Sequence, residues 1–434
     1  MKPSLPVVLA GLLLCLTACE DECHQIRTYR NLSPFYITAK QLRETGVSIT
    51  SPRELEDPGK IYLKDNYLFI NEVKKGIHII DNSNPEQPRK LSFLSILGNS
   101  DMAVKGNILY ADSYTDFLVF DISDPANPLQ IQRIENAFSS GMVEGINWYL
   151  NTVNTDYLIT DYTANLETIV TEMDCETGTT GAVLSDFVAL SNSYSSIKAS
   201  GSTGQGSGTG GSMARFAIVN DILYAVTNQN MQLFDISQPA YPQKGNMVSL
   251  GWGIETIFPY GNALYVGTTT GVQILSNIDP VNPVRVSTIS HIRACDPVVV
   301  QNNYAYVTLR AQEGSWCGDA QSNQLDLIDV SNIYSPKLIK SFPMQSPYGL
   351  GIDNQILHVC EGSYGLKTYS ITEPLQLDKN MINQLKSIKA YDVIPLSNQH
   401  VLMIGKDGFY QYDFTNPTRP RLLSLIPVLR KDSE

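Results

Sequence analysis

The chain has 434 residues, with 31 lysines and arginines against 43 acids and a formal charge of −12. Only 17% of the residues are charged, while 30 glycines, 23 prolines and 23 tyrosines are plentiful, a profile that excludes coiled coils and long helical bundles. The acidic balance also excludes a nucleic-acid partner, whose binding requires a basic stripe.

Residues 1–18 read as an export signal. One cation, Lys2, precedes an apolar run from Leu5 to Leu16, too short for a membrane span of about 20 residues. The run ends in Leu16-Thr17-Ala18-Cys19, which resembles the lipobox of bacterial lipoproteins. The resemblance implies cleavage before Cys19, diacylation of its thiol and acylation of the new N-terminus. Cys15 leaves with the signal; an ordinary secretory signal followed by a stray cysteine is the alternative. Cleavage takes Lys2 away and leaves 43 acids against 30 of the 31 cations. Acyl chains, each CH₂ worth about 0.8 kcal/mol when buried, anchor a protein without a transmembrane helix. Glu20, Asp21 and Glu22 resemble the acidic signal that sends some Gram-negative lipoproteins to the outer face of the outer membrane. The expected location is therefore the cell surface, with a periplasm-facing lipoprotein as the alternative. Residues 19–56 are read as lipidated tether and N-terminal extension, with a short helix expected near Ala39–Glu44.

From there one phrase recurs: IHIIDNSNPEQP from Ile77, FLVFDISDPANP from Phe117, MQLFDISQPAYP from Met231 and VQILSNIDPVNP from Val272. Weaker copies start at Leu325, Leu366 and Phe409. Successive starts differ by 40, 114, 41, 53, 41 and 43 residues, so the period is about 40 with two insertions. Each copy belongs to a unit of four strand signals. In the second unit these are Asp101–Lys105, Ile108–Ser113, Phe117–Ile122 and, after Pro125 and Pro128, Leu129–Ile134. Asp65-Asn66, Gly106-Asn107, Asn220-Asp221, Gly261-Asn262, Asn302-Asn303, Asp353-Asn354 and Ser397-Asn398 mark the turns between first and second strands, because Asn, Asp and Gly tolerate the positive φ of a tight hairpin.

A four-stranded unit of this size cannot bury both faces alone, and radial stacking into a closed ring solves the problem. The predicted fold is an all-β propeller over residues 57–428 with seven four-stranded blades, followed by a tail at 429–434. Residues 137–212 are an insertion, with Tyr157–Thr171 read as a two-stranded ribbon and Ser191–Ser212 as a Gly/Ser-rich linker. Eight blades, with 137–175 as a degenerate blade, is the alternative. The recurring phrase resembles the LVIVD-repeat family of Gram-negative lipoproteins, a resemblance that implies fold and compartment and carries no chemistry. Ser276 in the fourth unit replaces the usual Asp, and the sixth unit lacks both its Asp and its second Pro.

Alternating strand direction sorts the loops onto two faces. The short turns joining strands one–two and three–four share one face; the insertions at Ala137–Ser212 and Ala311–Asn323 fall on the other, where variable loops on a rigid scaffold collect function. Cys175, Cys295, Cys317 and Cys360 map to that face. Cys295–Cys317 is the expected disulfide in an oxidising compartment, with the pairing of Cys23, Cys175 and Cys360 open.

The sequence holds no HExxH, Walker loop, GxSxG elbow or EF-hand loop. His78 and His358 lie inside strands and read as structural. Counting back eight or nine residues from the second-strand aliphatics lands on Lys60, Asp101, Arg215, Glu255, Asp296 and Asp392, which should ring the channel mouth on the insertion-bearing face. Such acids could hold Ca²⁺ or a general base; the competing reading is hydrogen bonding to neighbouring backbone. Trp148, Trp252, Trp316 and Tyr348 are candidates for stacking on a sugar or a protein. The expected function is a noncatalytic binding scaffold at the outer membrane with a protein or glycan partner and no cofactor. A cation-dependent hydrolase or lyase is the alternative, and a purely structural envelope role comes third.

Overall fold

The computed structural model describes residues 22–143, 146–151, 158–174, 209–210, 214–290, 297–310, 323–396 and 399–429. Two compact units divide the chain, one of residues 34–163 and 191–434, the other of 1–33 and 164–190. In the smaller unit the described residues are backbone of two long strands, the early part of Glu22–Thr38 and the late part of Leu158–Asp174. The larger unit holds the repeats.

Each of the seven phrases is the third strand of a four-stranded antiparallel meander. Sheet one has its strands at Pro58–Lys64, Tyr67–Glu72, Gly76–Asp81 and Arg89–Ile96. Sheet two has them at Met102–Lys105, Ile108–Ser113, Asp116–Asp121 and Leu129–Ile134. Sheets three to seven follow at 216–249, 254–290, 298–343, 350–385 and 390–427. Asp65, Gly106, Asn220, Gly261, Asn302 and Asn354 all have positive φ, between 51° and 56°, so the turn residues do what their chemistry requires. Ser397-Asn398 lies outside the described residues.

The phrase itself is an Asx turn. Asp81, Asp121, Asp235, Asp329 and Asp413 each accept from the backbone N–H two residues on, at 2.8–3.0 Å. These hydrogen bonds hold the five carboxyls below their usual range. The sixth unit, which lacks the Asp, substitutes a contact between the Ser370 and Thr372 hydroxyls at 3.0 Å. In every one of the seven sheets the register slips between strands three and four, which twists the outer strand.

That outer strand then carries a side chain that donates to a turn carbonyl of the next sheet. Ser92 reaches Pro125, Gln132 reaches Pro242, Asn246 reaches Val281, Ser287 reaches Ile333, Lys340 reaches Leu375, Asn383 reaches Thr418, and Ser424 returns to Pro85. The circuit passes through sheets one to seven and closes. At the closure Asn82 and Gln411, both buried, exchange amide hydrogen bonds of 2.9 and 2.7 Å, and Leu55 bridges Val428 in parallel. Between sheets the core is aliphatic and aromatic: Phe117 of sheet two stacks on Phe234 of sheet three at 4.0 Å. Tyr110 and Tyr224 are buried and donate to Pro239 and Pro280 of the following sheet, both at 2.9 Å.

Between sheets two and three the chain builds a further four-stranded sheet from Ser140–Val143, Ile146–Asn151, Leu158–Asp174 and Glu22–Thr38. The two-stranded ribbon expected over Tyr157–Thr171 is instead part of one strand of 17 residues, because its partner is the N-terminal strand rather than its own second half. Helix Ala39–Thr45 forms where the sequence places one, started by a capping box between Thr38 and Gln41 and anchored by buried Leu42. Val47–Thr50, from before sheet one in sequence, pairs antiparallel with its outer strand Arg89–Ile96 and adds a further edge strand. No helix among the described residues is long and apolar enough to cross a membrane.

Candidate functional site

The innermost strand of each repeat sheet starts on the insertion-bearing face, and its first residues converge there. Lys60, Asp101, Arg215, Glu255 and Asp392 come from five different sheets. The charges of the other four all act on the Lys60 ammonium. Burial pulls that ammonium down to about 8, with Arg215 adding repulsion and Asp101, Asp392 and Glu255 opposing both. Burial likewise raises Asp101 to about 6, against the attraction of Lys60. Asp296 lies outside the described residues.

Hydrogen bonds show what two of these groups do. Asp101 accepts from its neighbour Met102 at 2.7 Å and from the backbone N–H groups of Arg215 and Phe216, where sheet three begins. Arg215 in turn donates its guanidinium to the carbonyl of Met142. This pair is therefore engaged in joining sheets, which is the structural reading of those positions. In sheet six the same count along the sequence reaches Gly349. A Cβ there would lie 1.9 Å from the Asp392 carboxylate, so a glycine at this position makes room for the acid next to it. Backbone of Thr209–Gly210, the end of the Gly/Ser tract, pairs with Leu63 and Tyr62 on the free edge of the innermost strand of sheet one.

Arg310 escaped the sequence reading. It follows the second strand of sheet five, Tyr304–Leu309, is buried, and lies over the ring of Tyr348 at 3.9 Å. Tyr348 meets Tyr391 edge-to-face at 5.3 Å. The only signal in the sequence was the place of Arg310 beside the second insertion. Tyr348 is thus half-buried under a cation rather than presented for stacking. Trp148 is a correction: it is 4% exposed, packed edge-to-face on Tyr114 at 5.4 Å, and fills the space left by Gly141. Trp252 is 70% exposed. Trp316 lies outside the described residues.

Within the larger unit, residues 140–163 of the additional sheet are fixed to this same face. Asp161, fully buried, accepts from Lys74 at 2.8 Å and from the Tyr114 hydroxyl at 2.6 Å, tying it to the second–third loops of sheets one and two. Asn228 of sheet three donates to Asn147 at 3.0 Å. The sheet therefore bonds to the loops of sheets one, two and three.

Cys360 is free and buried at the end of a second strand, its thiol pushed well up by burial. Cys19, Cys175, Cys295 and Cys317 lie outside the described residues. Among the described residues no three His, Cys, Asp or Glu side chains gather as a metal centre would require. Instead, cations interleave with the acids at the mouth. His78 is buried against Glu72 at 2.9 Å, and His358 against Thr368 at 3.2 Å, both inside sheets.

The LVIVD repeat profile matches residues 57–92, 99–135 and 318–343, in sheets one, two and five. The chain carries LVIVD repeats. None of the curated proteins matches it in sequence. Among solved structures, the periplasmic gluconolactonase PpgL of Pseudomonas aeruginosa is similar, with a TM-score of 0.50 at 9% identity, over 85% of this chain and 96% of that one. The computationally designed Ika8 protein gives 0.49 at 10% identity over 88% and 92%, and a loop-replaced KlHsv2 gives 0.46 at 9% over 86% and 100%. At such identity the likeness to PpgL speaks of the fold alone, a β-propeller.

Proposed function

We propose that the protein is a lipid-anchored, noncatalytic recognition scaffold, a seven-bladed ring whose ligand-binding surface is the insertion-bearing face. The observation that carries the reading is the division of that face. The additional sheet bonds to the loops of sheets one to three, while exposed Trp252 and Tyr364 stand on the loops of sheets four and six. Engagement of Asp101 and Arg215 in backbone hydrogen bonds supports a framework role for the charged mouth rather than acid–base turnover. The lipobox at Cys19 and the acids after it support display at the outer surface of the outer membrane.

A photocrosslinking residue placed at Tyr364 and, separately, at Tyr334 tests the reading in intact cells. Both positions are exposed, but Tyr334 sits in a third–fourth turn of sheet five on the opposite face. A discrete adduct is expected from Tyr364 and none from Tyr334. Equal labelling, or labelling from Tyr334 alone, would overturn the assignment of the face. Mass spectrometry of the mature N-terminus should find a triacylated Cys19.

A further inference from the structure

The loop that carries Trp252 is held from both sides. Leu250 N–H donates to Gln229 at 2.9 Å and Gly253 N–H to Asn228 at 3.0 Å, both on the second–third loop of sheet three. On the other side Thr269 of sheet four donates to the Gly253 carbonyl at 2.9 Å, and the Gln273 amide donates to that of Leu250, also at 2.9 Å. Gly251 and Gly253 flank the indole at φ +87° and +82°, the left-handed region that favours glycine, and a Cβ on Gly253 would meet the Thr269 hydroxyl at 2.2 Å. Four hydrogen bonds thus fix a loop whose central side chain is 70% in solvent. Leaving an indole exposed forgoes the burial of a large apolar side chain, a loss that a smaller polar residue would not incur.

The surroundings indicate what the indole meets. The loops bonded to it present Thr227 and Gln229 on one side and Thr269 and Thr270 on the other, all partly or fully exposed and all neutral. A protein hot spot sits in a well-packed patch ringed by further contacts that exclude water. On the described loops of sheets three and four on this face, Trp252 is the one exposed large apolar residue. The two loops bonded to it, 227–229 and 269–270, carry no cation for a phosphate or carboxylate. A flat apolar disc bordered by hydroxyl and amide groups matches a pyranose with equatorial substituents, whose axial C–H bonds form an apolar face and whose hydroxyls lie at the rim.

We infer that Trp252, framed by Gly251 and Gly253 between the hydroxyl- and amide-bearing loops of sheets three and four, is a stacking platform for an oligosaccharide of equatorially substituted pyranoses. This inference rests on the insertion-bearing face being the recognition surface and names the chemistry of its ligand.

The test uses the full-length lipoprotein in a detergent without a sugar headgroup. Cellohexaose, xylohexaose and chitohexaose are the probes, and a fructofuranose oligomer, which lacks the flat face, is the control. Saturation-transfer NMR should show contact with at least one pyranose hexamer and none with the fructan. Trp252→Ala should weaken binding about tenfold or more, while Trp252→Tyr retains part of it. Because the indole is exposed, an unchanged melting temperature should accompany the loss. Absence of transfer from all three hexamers, or binding unchanged in Trp252→Ala, would overturn the platform. If the sugars fail while the Tyr364 crosslink persists, the carbohydrate inference falls alone; if both fail, the face falls with it.

Discussion

The repeat ring and the additional sheet are built from similar strands but held in different ways. Each junction in the ring repeats one device, an outer-strand side chain donating to a turn carbonyl of the next sheet, and no single contact dominates. The additional sheet hangs on particular, unrepeated contacts, above all the buried carboxylate of Asp161 between Lys74 and Tyr114. Redundancy makes the ring a frame. Dependence on a few charged groups makes the sheet the part that one substitution can release.

Asp161→Ala breaks that contrast most sharply. It strands Lys74 and the Tyr114 hydroxyl together, and loss of one partner of such a buried pair costs roughly 3 kcal/mol, the low end because Lys74 is partly exposed. Hydrogen exchange should accelerate across 140–163 with the sheets at 254–427 unchanged; uniform acceleration would show that sheet and ring open as one. Gln411→Ala addresses the ring at its closure. The Asn82 amide loses both of its bonds to Gln411, at a cost of about 1–3 kcal/mol, and exchange should rise in sheets one and seven before the others. The smallest effect concerns the mouth. Asp101 should titrate near 6 by carbon-detected NMR. Its folded-state value is raised, so its contribution to stability is full below about 4 and is lost as pH rises through about 6. A midpoint near 4 would mean that Asp101 is solvated and the mouth open.

The sequence made local features legible. Ile108–Ser113 and Leu129–Ile134 are strands at the bounds that the turn residues and prolines mark, because a hairpin turn is decided by the few residues in it. Lys60, Asp101, Arg215, Glu255 and Asp392 could be found by counting, since repetition converts sequence register into spatial register. What repetition did not reach stayed hidden. The pairing of Glu22–Thr38 with Leu158–Asp174 joins segments more than a hundred residues apart that share no phrase with the repeats. The burial of Trp148 depends on Tyr114 from another sheet, and the place of Arg310 on Tyr348 from the next one. Gly349 was reachable by the same count as the acids but carries no charge to draw notice.

Sheet seven is complete in itself, with all four of its strands drawn from 390–427, and the circle is shut by contacts rather than by a borrowed strand. Leu55 and Val428 therefore lie side by side, with Leu429 N–H on the Leu55 carbonyl at 2.7 Å. A gene re-cut in any turn between two sheets, with these neighbours sewn together by a short peptide, would encode the same wheel from a new starting point.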